Sequence, residues 1–313
     1  MTAHILRRLL ATIPVMTMVA LIVFAILRLT PGDPAAILAG DMATSDQIDE
    51  IRRLMGLDRP IHLQFLSWVW ALLQGDLGVS LISQASVTSL IADRIGPSLA
   101  LAIGAITLSV VVAVPVGVLA AVYRGSLLDR GVMAFSVFTF SVPVFLKGYL
   151  LILLFSLLLG WLPVQGYRPL EEGLWAFSER LILPVLALSA GYIALIARIT
   201  RSSILEVIGE DYIRTARAKG LHERAVLMRH ALHNAAVPIV TVIGVGVAAL
   251  ISGVVVVESV FNLPGLGRLV VEAVLARDYP VIQGLILFFS FIYILINLVI
   301  DLLYTVFDPR IQY

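Results

Sequence analysis

"DYIRTARAKGLHERAVLMRHALHNAAVP", residues 211–238, is the most polar long stretch in the C-terminal two-thirds of a chain that is otherwise mostly apolar. Of the 313 residues, 60% are hydrophobic and 14% charged, and the mean hydropathy is +1.00. Soluble domains sit nearer half apolar and a quarter charged, so the composition specifies an integral membrane protein. A net charge of +1 supplies no global field that would recruit nucleic acid. Cysteine is absent, which removes disulfides, thiolate catalysis and cysteine-held metal centres.

Around that stretch, six segments are long and apolar enough to cross a bilayer, which takes about 20 residues each. They run at 9–29, 98–122, 132–160, 181–200, 235–260 and 282–306, so the expected fold is all-α with six transmembrane helices. The first run follows Arg7 and Arg8, exceeds the apolar core of a signal peptide and is not closely followed by a small-residue cleavage site. It reads as a retained span. Pro143 lies inside the third run and Pro238 near the start of the fifth, where prolines kink membrane helices. Small residues recur four apart at Ser109, Ala113 and Gly117, at Ala187 and Gly191, and at Gly244, Ala248 and Ser252. Such faces let helix backbones approach closely in lipid.

Orientation follows from the basic residues of the short loops. With the N-terminus inside, the cytoplasmic side holds Arg7, Arg8, Arg124, Arg130, Arg310 and the basic loop with Arg198, Arg201, Arg214, Arg217, Lys219, Arg224 and Arg229. The two short outer loops hold only Arg168, Arg180, Arg268 and Arg277, so both termini are expected in the cytoplasm. Segment 30–97 is too polar to span and is placed outside. Within it, Thr44 and Gln47 fit a capping box, Gly56 closes that helix, and Pro60 opens a second one. Ile61, Phe65, Trp68 and Leu72 form one apolar stripe on this second helix. It either lies on the outer membrane surface or packs on the protein itself.

The basic loop reads as two short helices. Leu205, Ile208, Tyr212 and Ala216 mark the face of the first, Gly220 ends it, and Leu221, Ala225, Met228 and Leu232 mark the second. Fixing topology needs only a few arginines, so two amphipathic turns hinged on a glycine suggest an elbow that docks into another protein.

"DYIRTARAKGL" followed by "RHALHNAAVP" resembles the cytoplasmic EAA loop of ABC importer permeases. "LTPGDPA", "VVVVESVFNLPGLGRLVVEAVLARDYPVIQG" and "VIDLLYTVFDPRI" are similar to the dipeptide/oligopeptide/nickel branch of that family. The resemblance covers nearly the whole chain in order. It implies the type I ABC importer permease fold and a coupling loop, 201–234, that sits in a groove of the ATPase. Within it, Arg214, Thr215, Ala216 and Gly220 match the motif, flanked by Asp211, Tyr212, Arg217 and Lys219, while the glutamate of the general motif is absent. The implied partners are a second permease subunit, usually a different chain, two ATP-binding-cassette ATPases, an extracytoplasmic substrate-binding protein docking on 30–97 and 261–281, and the lipid. The implied place is a bacterial or archaeal cytoplasmic membrane. The implied cargo is a small peptide, with nickel and glutathione as the branch's alternatives. Residues 98–306 would form the transmembrane domain, 1–29 the N-terminus and first span, and 307–313 a cytoplasmic tail.

The residues add an independent point. The chain has only two lysines, Lys147 after Leu146 and Lys219 after Ala218, so neither ends a G-x-x-x-x-G-K-[ST] phosphate loop. If transport is ATP-driven, the ATPase must therefore be a separate polypeptide. No G-x-S-x-G is present, and the close histidines, His222, His230 and His233, all lie in the basic loop. His230 and His233 could face one way and hold a metal, but they read better as polar residues at a helix–membrane boundary, so no enzyme activity, metal or cofactor is expected. Ionisable residues inside spans are functional candidates by default. Glu258 and Asp301 are accordingly expected to pair within the bundle or bound a gate, and Lys147 either to line the pathway or to pair with a neighbouring subunit. An ion-coupled secondary transporter or channel is the competing class, but it has no use for a coupling elbow and usually shows inverted repeats, which are not visible here.

Overall fold

In the computed structural model the described residues are 2–29, 33–40, 43–54 and 56–307, and they are almost entirely helical. Helices α1 (Thr2–Leu29), α2 (Pro34–Ala39), α3 (Ser45–Leu54) and α4 (Ile61–Leu73) precede α5 (Val87–Val122), α6 (Leu127–Ser141) and α7 (Val144–Leu151), which continues as a π-helical segment, Ile152–Leu158. Helices α8 (Leu174–Ile208), α9 (Asp211–Ala218), α10 (Glu223–Ala225) and α11 (Leu232–Asn234), the last two separated by a π-helical turn, lead to α12 (Ala236–Phe261), α13 (Leu266–Leu275) and α14 (Tyr279–Phe307). Among the described residues, α5, α8, α12 and α14 are each long and apolar enough to cross a membrane, and α6 with α7 and its continuation makes a fifth crossing if the bent pair is one span. The apolar part of α1, Leu10–Ala25, is shorter than that, so the expected count of six is not reached by length and composition alone. Arg7, Arg8, Asp301 and Arg310, which entered the reading of orientation and pairing, lie outside the described side chains.

The third expected span is broken. Proline disfavours helical geometry in the residue before it, and Val142 is extended at φ −95°, ψ 120°. The axis turns by 105° between α6 and α7. The fourth span runs past its expected end at 200, so Arg198 and Arg201 stand on the last turns of α8. The basic loop starts at Gly209, not at 201.

The chain divides into two compact units, Met1–Gly96 with Arg268–Ile294 and Pro97–Gly267 with Leu295–Tyr313. In the first, α4 rests on α1 through Phe65 and Trp68, whose rings lie 5.2 and 5.6 Å from that of Phe24. Ile61, Leu66, Trp70 and Leu73 of α4 stay exposed. The expected capping box forms: Gln47 Oε1 accepts from the Thr44 amide at 2.9 Å and Thr44 Oγ1 from the Gln47 amide at 3.4 Å. Glu272 on α13 accepts from Arg94 at 2.8 Å and from Arg268 at 2.7 Å. Burial raises the Glu272 pKa, but the two arginines outweigh it and hold the carboxyl below its ordinary value.

The second unit is built on close helix contacts. Its core joins Leu101 and Ala105 of α5, Leu183 and Ala187 of α8, and Leu250 and Val257 of α12. Gly117, one of the recurrent small residues, meets α8 so closely that a Cβ there would lie 2.6 Å from the Ala197 carbonyl and 2.7 Å from Thr200 Cβ. At the end of α8, Arg201 donates to both oxygens of buried Asp129 at 2.5 and 2.8 Å, and the Gly125 amide adds a third bond at 2.9 Å. This ties the α5–α6 turn to α8. We expect Gly117→Ala to lower the melting temperature of the detergent-solubilised chain, read by size exclusion after heating. Gly131→Ala, with open space around the added methyl, should leave it unchanged. Equal losses in both would contradict the close approach of α5 and α8.

Candidate functional site

The basic loop forms a helix–glycine–helix elbow. Helix α8 stops at Gly209, Glu210 is extended, and α9 restarts at Asp211. Gly220 adopts φ +77°, the left-handed conformation that glycine reaches without strain. Across that turn Arg217 donates to Glu223 at 2.6 and 3.2 Å, which pins the end of α9 to the start of α10. The bond holds the Glu223 carboxyl below its ordinary pKa. The pin is therefore complete at neutral pH and is lost only as pH falls through that lowered value. Both side chains are substantially exposed, so its worth is small.

The elbow has an inner and an outer face. Ile213, Ala216, Val226, Ala231 and Ala235 are buried against Val118 and Ala121 of α5, Ile204 of α8 and Ile239 of α12. Tyr212, Arg214, Thr215, Arg217, Lys219, Gly220, Leu221 and Met228 are exposed. Of the residues on the two expected faces, Ala216 is buried, while Tyr212, Leu221 and Met228 face out. The break at Gly209–Glu210 and the π-helical turn Val226–Ala231 each shift the helical phase, so the three-and-four spacing does not stay on one side of the elbow. The elbow therefore seats itself on its own helices with one apolar face and leaves a second face, apolar and basic, uncovered.

The other candidates lie in the spans. Glu258 near the end of α12 is fully buried. Ser98 Oγ donates to Glu258 Oε1 at 2.5 Å and accepts from the Leu266 amide at 2.8 Å. The Leu263 amide returns to the Glu258 carbonyl at 2.9 Å, and Asn262 takes the left-handed conformation that ends the helix. The loop 262–267 thus folds over the carboxylate so tightly that a Cβ on Gly265 would overlap it. No part of Glu258 is open to a passing solute. The signal for this cradle was the glycine spacing in "NLPGLG", whose partner carboxylate lies just upstream. Lys147 is half-buried in the first turn of α7, with its Nζ 3.3 Å from the Thr139 carbonyl of α6. Among the described residues no three histidine, cysteine or acidic side chains gather as a metal site would require.

The Binding-protein-dependent transport system inner membrane component model matches residues 113–313, and its N-terminal companion matches residues 1–102. The chain belongs to this family. The permease is 50% identical over 313 residues to the probable peptide ABC transporter permease protein y4tP of Sinorhizobium fredii, covering 100% of both chains. It is 45% identical, again over 100% of both chains, to the glutathione transport system permease protein GsiC of Salmonella choleraesuis. Among solved structures it is similar to a chain of the inward-facing MetNI methionine ABC transporter, with a TM-score of 0.58, 20% identity, and coverage of 71% of this chain and 97% of that one. The fold is that of type I ABC importer permeases, and the permease is a multi-pass membrane protein that works with ATPase subunits and a substrate-binding protein. Family membership displaces the ion-coupled carrier.

Around Glu258, Ser98→Ala removes one of the carboxylate's donors and should cost about 1–3 kcal/mol, as for other buried polar groups left short of a partner. Gly265→Ala should be worse and reduce the yield of folded permease. Normal thermal stability in both variants, measured in detergent, would contradict the cradle.

Proposed function

We propose that this permease forms half of the membrane pathway of an ATP-driven importer of small peptides, paired with a second, different permease chain. The observation that carries the reading is the elbow's uncovered face, seated on the permease's own helices and presenting Asp211, Tyr212, Arg214, Thr215, Arg217, Lys219 and Gly220 at the loop's tip. This face docks in a groove of the ATPase subunit, while buried Ala216 holds it to the bundle. ATP-driven closure of the ATPases would move α9. Through Ile213, Ala216 and Val226 that movement would reach the ends of α5, α8 and α12. The peptide class rests on the relatives named for peptide and for glutathione, itself a tripeptide. Residues 98–306 act as the transmembrane domain and 30–97 as an outer segment that meets the binding protein. The membrane is the bacterial cytoplasmic one, with both termini inside. Glu258 holds the outer loop that bounds the gate, and Lys147 faces the pathway.

Two experiments bear on this. A reporter fused near Gly209 should be cytoplasmic and one near Asp46 external, and reversal at either site would overturn the orientation. Gly220 has space around it, so the penalty of substitution there is conformational, at least about 1–2 kcal/mol for a β-branched residue at positive φ. Gly220→Val should insert in the membrane yet transport little and bind its ATPase weakly, with Gly220→Ala milder. Normal transport by Gly220→Val with the ATPase bound would remove the coupling role of 211–220.

A further inference from the structure

Lys147 sits where the second unit breaks a helix. Residue 143 is a proline and has no N–H, so the carbonyl of Thr139, four residues earlier, loses its helical donor. Thr139 is buried, and water cannot reach such a carbonyl inside a bilayer. The Lys147 ammonium takes the missing donor's place at 3.3 Å, while its backbone amide donates to the Pro143 carbonyl at 3.1 Å. One of the three ammonium protons is thereby accounted for. The positive charge is not.

Among the described residues Lys147 makes no ion pair with any carboxylate. It stands in the first turn of α7, where the helix macrodipole disfavours a cation. Helix α6 has 15 residues. At about 1.5 Å per residue it rises roughly 22 Å. With its start taken at the cytoplasmic face of a hydrocarbon core about 30 Å thick, the bend falls within that core. The head group lies toward α8 at Gly191, where a Cβ would be 3.8 Å from Nζ. With hydrogen in place of a side chain at 191, the space beside the ammonium stays open on that side. A neutral donor would have satisfied Thr139 equally well. Among the described residues nothing balances the charge, which leaves it for an anion from elsewhere.

We propose that Lys147 receives a carboxylate of the transported solute, such as the C-terminal carboxylate of a peptide, as it passes the α6–α7 bend. The inference rests on the peptide reading above and narrows it to solutes with a free carboxylate. It also disfavours a bare divalent cation as cargo, because the Lys147 ammonium would repel it. Lys147 is then a specificity-determining residue: the Thr139 carbonyl fixes its position, and its remaining donors meet the solute.

The test uses the assembled importer, with partner permease, ATPases and binding protein, in proteoliposomes. It is given a dipeptide with a free C-terminal carboxylate or the same dipeptide as its amide, each first shown to load the binding protein. Lys147→Gln keeps a donor for Thr139 and removes the charge. It should lower the ratio of free-acid to amide uptake about tenfold, and Lys147→Arg should preserve that ratio. An unchanged ratio, whether both uptakes fall together or neither does, would make Lys147 only a pin for the bend and overturn the inference. Failure of Lys147→Gln and Lys147→Met to assemble, with Lys147→Arg assembling, would place the counter-charge on the partner permease and overturn it as well. A wild-type importer that takes up neither dipeptide overturns the peptide reading, and this inference with it. Wild-type uptake of both, with the ratio unmoved in Lys147→Gln, removes this inference alone.

Discussion

Inside a bilayer no water is available to complete a hydrogen bond, so each polar group in the spans must find its partner within the protein. Much of the permease's detail follows from that constraint. Helices satisfy their own backbones, and small residues such as Gly117 let them approach closely enough for dispersion to hold them in a solvent as apolar as their side chains. Where Pro143 interrupts the pattern, the Thr139 carbonyl is met by Lys147. Where α12 ends, the buried Glu258 is met by Ser98 and wrapped by its own loop. Asp129, buried at the start of α6, is met by Arg201 and the Gly125 amide. Each of these is a local repair. Each also fixes the position of a helix end.

The elbow obeys the opposite rule. It lies among charged residues, and there water can complete what the protein does not. Its inner face is apolar and small enough to sit on three helix ends, so it moves with them. Its outer face retains exposed Tyr212, Leu221 and Met228 among basic residues. A surface that is held firmly from behind and left uncovered in front suits the transmission of movement from a partner to the spans.

Features governed by neighbouring residues were legible in the sequence. The Thr44–Gln47 box and the left-handed Gly220 depend on residues at most three apart, and both formed as read. The hydropathy of α5, α8, α12 and α14 was equally plain, because long apolar runs need no partner to be recognised. What was missed depends on distant residues. Arg201 read as loop because it is charged, yet it lies within α8, paired with Asp129 72 positions away. Pro143 announced a kink but not a turn of 105°, which packing around α7 decides. Glu258 reads as a residue that pairs within the bundle or bounds a gate, but its partner Ser98, 160 positions distant, is not legible. The elbow's two apolar faces do not each stay on one side, because the break before α9 and the π-helical turn shift the helical phase.

The central claim is that the elbow's outer face is the ATPase contact. The chain's lack of cysteine makes a background-free measurement possible. Arg214→Cys, on the exposed face of α9, and Asp46→Cys, on α3, are each labelled with a bulky maleimide in solubilised permease, with and without its ATPase subunits. The account predicts that bound ATPase strongly slows labelling at position 214 and leaves position 46 unaffected. Equal labelling at 214 in the presence and absence of bound ATPase would contradict it.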